Sequence, residues 1–292
     1  LVHCTLSNNS AYDGGGAYFG VLSNCTLTAN LAEHYAGGAY DSWLFNCSLT
    51  GNSAGAAGGG TAGSDLTECT LIGNTTDEGG GAFGGEFRYC TLTGNTAIFG
   101  GGVSGGFLDH CTLTANSAFH GGGSDRGTLD NCLLSGNSAL VSGGGARWGT
   151  LRNCLLTGNS AQFDGGGTSS SELTNCTVSG NSSERCGGGA EDGTLDNCIV
   201  YFNTAPTGAN FEACAFTTSC TTPDPGGTGN VTNDPQFVDA AAGNYRLKTN
   251  SPCINRGNNA LVQGETDLEG NPRIAYGTVD MGAYEAQFPV GY

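Results

Sequence analysis

Cysteine recurs every 21 or 22 residues through most of this chain: Cys4, Cys25, Cys47, Cys69, Cys90, Cys111, Cys132, Cys154, Cys176 and Cys198. A period of that length is the signature of a solenoid, in which each repeat hides its apolar face only by stacking on its neighbours. The rest of the repeat keeps the same spacing. An apolar residue stands three before the cysteine, from Leu22 and Leu44 to Leu173 and Leu195, and Leu or Val stands two after it. Five after it is Asn in every case: Asn9, Asn30, Asn52, Asn74, Asn95, Asn116, Asn137, Asn159, Asn181 and Asn203. Only the segment between this Asn and the next glycine run varies in length, which marks it as a loop.

The Cys-x-Leu step alternates inward and outward, with Thr or Ser usually at the outward place (Thr5, Thr26, Ser48, Thr70, Thr91). Those are strand preferences. Asn tolerates left-handed backbone, and its amide bonds both to turn backbone and to the Asn of the next coil, so the ten mark a corner ladder. Glycine pairs and triplets occupy the return side and make the coil narrow there. The string Leu22-Ser-Asn-Cys25-Thr-Leu27-Thr-Ala-Asn30 also fits a leucine-rich repeat. That architecture needs a helix-like return segment, where glycine costs about 1 kcal/mol per residue. The expected fold is therefore all-β: a right-handed parallel β-helix of about ten coils over residues 1–203. At about 4.8 Å per coil the rod is about 50 Å long.

Stacked cysteines present parallel side-chain vectors, so the ladder is expected to hold free, buried thiols rather than disulfides. Four cysteines lie outside it (Cys186, Cys214, Cys220 and Cys253), with Cys220–Cys253 the first candidate for a disulfide. All seven prolines fall at or after Pro206, which sets a boundary near residue 204. Residues 204–292 then form a C-terminal cap folded back on the last coils, with a Pro/Gly-rich loop at 221–235.

The chain has 26 acidic and 9 basic residues and a formal charge of −17. That balance argues against nucleic acid and anionic membrane surfaces as partners. No apolar run approaches the roughly 20 residues of a membrane helix. With no initiating Met or signal peptide, a mature or trimmed chain is expected.

The tail carries a family resemblance. Asp234-Pro-Gln-Phe-Val-Asp239, Gly243-Asn-Tyr-Arg-Leu247, Ser251-Pro-Cys-Ile-Asn255, Thr266-Asp-Leu-Glu-Gly-Asn-Pro-Arg273 and Val279-Asp-Met-Gly-Ala-Tyr-Glu285 resemble the terminal region of choice-of-anchor-Q bacterial surface proteins. The L-x-x-N and Gly-Gly-Ala repeats are similar to those of polymorphic outer-membrane adhesin passengers within the pectin-lyase-like superfamily. The resemblance implies secretion from a bacterium and a surface or extracellular role. It brings no catalytic motif. Val21, Trp43 and Phe107 occupy equivalent outward positions, a face that can stack on sugars or on a partner chain, so glycans or cell-surface receptors are the expected partners.

No residue set for catalysis emerges from the sequence. The four histidines (His3, His34, His110, His120) are scattered, and Arg126, Arg147 and Arg152 have no stacked acidic residues facing them. Glycosidase chemistry needs a carboxyl pair, and no Asp-Asp or comparable string supplies one. Acidic residues do gather before the glycines, at Asp13, Asp77, Glu78, Asp164 and Glu184, and with loop carbonyls could hold Ca²⁺. Leu1, Val2 and Leu6 lie on an uncapped first coil, an open edge suited to pairing. The expected function is a non-enzymatic extracellular structural or adhesive protein, joined head to tail into a filament through that edge. The alternative is a polysaccharide-binding or polysaccharide-cleaving β-helix.

Overall fold

The computed structural model describes residues 1–287 as an all-β parallel solenoid of about ten turns, with two single 3₁₀ turns its only helical segments. Three continuous sheets run along the axis, beside a fourth that is interrupted into runs of three and five strands. Sheet 1 has eleven strands, from Thr5–Ser7 to Cys220–Thr221. Sheet 2 has ten, from Val21–Ser23 to Ala215–Thr217, and sheet 3 has ten, from Ala17–Tyr18 to Phe211–Glu212. Registers follow the repeat: Leu6 pairs Leu27 and Leu27 pairs Leu49 in sheet 1, and Leu22 pairs Leu44 in sheet 2. The return side is glycine turn and strand, as a β-helix requires.

Each coil contributes two leucine-type side chains to a continuous column, among them Leu22 with Leu27, Leu66 with Leu71 and Leu108 with Leu113, all buried. Complete burial of each such side chain is worth about 1.5–3 kcal/mol. The narrow side depends on glycine. A Cβ on Gly59 would lie 2.4 Å from the Gly80 carbonyl oxygen and 2.6 Å from the Thr75 amide nitrogen. No side chain fits there, because the neighbouring coil's backbone already fills the space.

Two ladders satisfy the corners. Asn52 Nδ2 donates to Asn74 Oδ1 (3.0 Å) and to the Leu27 carbonyl (3.0 Å), while Asn52 Oδ1 accepts from the backbone N–H and the amide of Asn30. The same four-way pattern repeats through Asn181. In the cysteine ladder the Cys25 amide donates to Cys47 Sγ (3.4 Å), and each thiol donates to the carbonyl two residues earlier. All fourteen cysteines are free thiols. Burial holds the Cys132, Cys154 and Cys198 thiols well above their ordinary pKa, so they stay protonated and unreactive.

The coil pattern continues beyond Asn203. Thr194 pairs Ala215, Leu195 pairs Phe216 and Ile199 pairs Cys220. Here Phe216 stands in the leucine place and Ser219 in the cysteine place, where its Oγ accepts the Cys198 amide (2.9 Å). Asn210, on the loop, accepts the last ladder bond from Asn203. The boundary drawn at 204 is thus too early: the last coil keeps the geometry while changing its marker residues.

Val231 then pairs with Cys220, and Thr218 and Thr221 donate to the Thr228 and Val231 carbonyls, which covers the last rung. The chain turns back along the outer face of sheet 1. The strands Phe237–Asp239 and Asn244–Leu247 form an antiparallel pair there. A second core joins this segment to the solenoid: Leu155, Ile199 and Cys220 on the coils, with Phe237, Tyr245, Leu247, Cys253, Ile254 and Met281 against them. Cys220 and Cys253, the expected disulfide, sit in this core as two buried thiols. A buried charged cluster holds the far loops. Arg273, 1% exposed, donates to the Asp280 and Gly282 carbonyls, and Asp267, Asp280 and Glu285 surround it, accepting backbone amides from the loops they join.

Candidate binding cleft on the solenoid flank

The residue before each ladder cysteine turns a corner in left-handed backbone. Asn fills the place at Asn24, Asn46, Asn131, Asn153, Asn175 and Asn197, with φ between 48° and 53°. Asn is the side chain that tolerates this conformation best after glycine. The two end coils break the rule with His3 and Thr218, and three consecutive inner coils break it with Glu68, Tyr89 and His110 at φ 55°, 54° and 52°. Left-handed non-glycine residues recur at corners along the whole solenoid, among them Phe19, Asp41, Trp148 and Phe202, so it is the change of residue rather than the conformation that sets these coils apart.

Tyr89 and His110 stand at the mouth of a cavity of about 590 Å³ between sheet 1 and the C-terminal segment. Tyr89 is 58% exposed, and its ring lies 5.1 Å from that of His110 at 34°. His110 Nδ1 is 2.7 Å from Asp109 Oδ1. The floor is the outward face of sheet 1: Thr112, Leu133, Ser135, Leu155 and Thr157. The opposite wall is Gly243, Tyr245, Leu268, Glu269 and Tyr284. Tyr245 Oη and Thr157 Oγ1 share a 2.7 Å hydrogen bond that closes the inner end. Glu269 is ion-paired with Arg246, whose guanidinium lies over the Tyr284 ring. Burial, with Glu269 nearby, pushes the Tyr284 phenol up to about 12, so it is a hydrogen-bond donor at neutral pH. The Oδ1 atoms of the corner residues Asn131, Asn153 and Asn175 are all buried without a hydrogen-bond partner.

On sheet 3 lies a second charged group. Asp125 is fully buried between Arg126 Nε (2.9 Å) and Arg147 Nε (2.7 Å), and Arg126 reaches Glu78 Oε1 (2.6 Å), which also accepts from Ser104. Arg147 lies over the Trp148 ring at 3.9 Å, and Arg152 pairs with Asp130 at 3.4 Å. These arginines do face acidic residues, contrary to the sequence-based expectation, because the 21–22-residue period places Asp125 beside Arg147 and Asp130 beside Arg152 on adjacent coils. Both Asp125 oxygens are engaged, which leaves no free base beside a free cation.

The calcium candidates are not brought together. Asp13 accepts the Tyr35 amide near His34, Glu78 pairs with Arg126, Asp164 pairs with Arg185 and the Cys186 thiol, and Asp77 and Glu184 are exposed. Among the described residues no group of three His, Cys, Asp or Glu is arranged to hold a metal ion.

Sequence reasoning placed His110 in a surface slot and missed the cleft. Two signals marked it. The outward place after the cysteine changes from Thr or Ser to Leu133, Leu155 and Ile199, the positions the C-terminal segment covers or borders, and the corner Asn gives way to Glu68, Tyr89 and His110.

No sequence-family model matches the chain, and no curated protein matches it. Among solved structures, the pectate lyase Pel9A superposes with a TM-score of 0.53 at 12% identity, covering 96% of this chain and 86% of that one. The tailspike protein gp49 of Pseudomonas phage LKA1 gives 0.36 at 13% identity, over 77% of this chain and 47% of the tailspike. HetL, a pentapeptide repeat protein from the cyanobacterium Nostoc sp. strain PCC 7120, gives 0.35 at 16% identity, over 75% and 90%. The likeness to Pel9A is one of fold, a parallel β-solenoid. No helix among the described residues is long and apolar enough to cross a membrane.

Proposed function

We propose that this chain is an extracellular, non-enzymatic adhesive protein of the choice-of-anchor-Q type, a stiff β-helix rod that presents a binding cleft on its flank. One observation carries the reading: Tyr89 and His110 replace the corner Asn where the cleft opens, and the acidic groups beside it are already engaged. Such a site is built to hold a ligand without acting on it. The pectate-lyase-like fold makes turnover the decisive test. Incubation with polyuronate and with neutral polysaccharides, with and without Ca²⁺, is expected to give no unsaturated or reducing-end product, while labelled protein adheres to glycan-coated surfaces. Product formation above that of an Asp125→Asn control would overturn the reading.

Head-to-tail self-association is a second reading, favoured by exposed apolar side chains on the first coils: Leu1, Val2, Tyr18, Phe19 and Val21. Electron microscopy across a concentration series is expected to show filaments with an axial repeat of one rod. Single rods at every concentration would remove it.

A further inference from the structure

We propose that the flank cleft takes a neutral oligosaccharide, with a sugar ring stacked on Tyr89 and His110 and hydroxyls bonded along the floor. The proposal rests on the binding reading above and adds the chemical class of the ligand.

Aromatic rings stack on the C–H face of a pyranose, and such contacts need an exposed ring with a fixed orientation. Tyr89 supplies one, steadied by His110, which is itself held by Asp109. Ser135 and Thr157 are register partners on adjacent coils and bring hydroxyls to the floor about 4.8 Å apart along the axis, while Thr112 lies two residues to the side, opposite Leu133. That interval is close to the length of one sugar in an extended chain. Tyr284 offers a donor from the opposite wall.

The charges select against acidic glycans. Asp109 and Glu269 flank the cleft, Asp109 hydrogen-bonded to His110 and Glu269 ion-paired with Arg246, and the chain as a whole carries −17. A carboxylate-rich polymer would meet repulsion on approach and no free cation on arrival.

The full chain is titrated calorimetrically with cellohexaose, maltohexaose, mannohexaose and hexagalacturonate. At least one neutral hexasaccharide is expected to bind, with hexagalacturonate at least tenfold weaker. Tyr89→Asn restores the residue that other coils use at this corner, so it is expected to fold and to melt no lower than the parent. It is also expected to weaken binding about tenfold, the loss expected for one stacking contact. Phe45→Ala, at an exposed position on sheet 2, serves as the control and leaves binding unchanged. Tighter binding of hexagalacturonate, unchanged affinity in Tyr89→Asn, or no binding of any neutral hexasaccharide would each overturn the ligand assignment. None of these produces product, so failure of the ligand class stays distinct from failure of the non-enzymatic reading.

Discussion

The solenoid and the C-terminal segment bury polar groups in opposite ways. In the solenoid every buried amide has a copy one coil away, and Asn52 makes the same bonds as Asn74, Asn95 or Asn116. The C-terminal segment relies on a single cluster, Arg273 among Asp267, Asp280 and Glu285, with no duplicate. Repetition spreads the stabilisation over neighbouring interfaces, as expected of a quasi-one-dimensional fold. A unique buried charge group concentrates it at one point.

The sharpest way to break the comparison is Arg273→Met. It leaves three buried carboxyls without their cation, a change of about 3–5 kcal/mol. Limited proteolysis is expected to remove the segment beyond the 221–235 loop while the solenoid's circular dichroism persists. Loss of both together would show that the two regions are one cooperative unit.

The same cluster predicts a pH response. Burial and the nearby Asp280 raise Glu285 from 4.5 to about 7. A carboxyl whose pKa is higher in the fold than in the unfolded chain stabilises in its neutral form. That stabilisation is complete below about pH 4.5 and fades as pH rises through about 7. The difference amounts to at most about 3 kcal/mol. Denaturant titrations are expected to show the segment loosening between pH 5 and pH 8 on that scale. Glu285→Gln should flatten the response, and an unchanged profile would assign it to another group.

Within the solenoid, position along the ladder should matter. Asn116→Ala removes bonds to Asn137, Leu92 and Asn95 in a sealed interior and is expected to cost about 2–4 kcal/mol. Asn9→Ala, at the exposed first rung, loses one side-chain bond and should cost less than about 1 kcal/mol. Equal costs would mean that the ladder is not limited by burial. The smallest effect is expected for Cys132→Ser, about 1 kcal/mol, because Ser219 already fills the cysteine place in the last coil with a good hydrogen bond.

The period, the inward leucines, the ladders and the parallel β-helix itself were legible in the sequence. A repeated unit of 21 or 22 residues has few ways to bury its apolar side, and each copy restates the same local preferences of Asn, Gly and alternating Leu. What the pattern could not supply were contacts between unlike parts. Ser219 and Asn210 complete the last coil only because the preceding rung supports them in that geometry. Asp125 meets Arg147 through axial stacking, a neighbour relation invisible to a scan for adjacent residues. The cleft depends on where the C-terminal segment lies over Leu155 and Ile199, and on how far it leaves Tyr89 and His110 uncovered. Local periodicity determines a solenoid because each coil repeats the same neighbours. The site arises where that repetition ends against a segment of different sequence, and there only the tertiary packing decides which side chains meet.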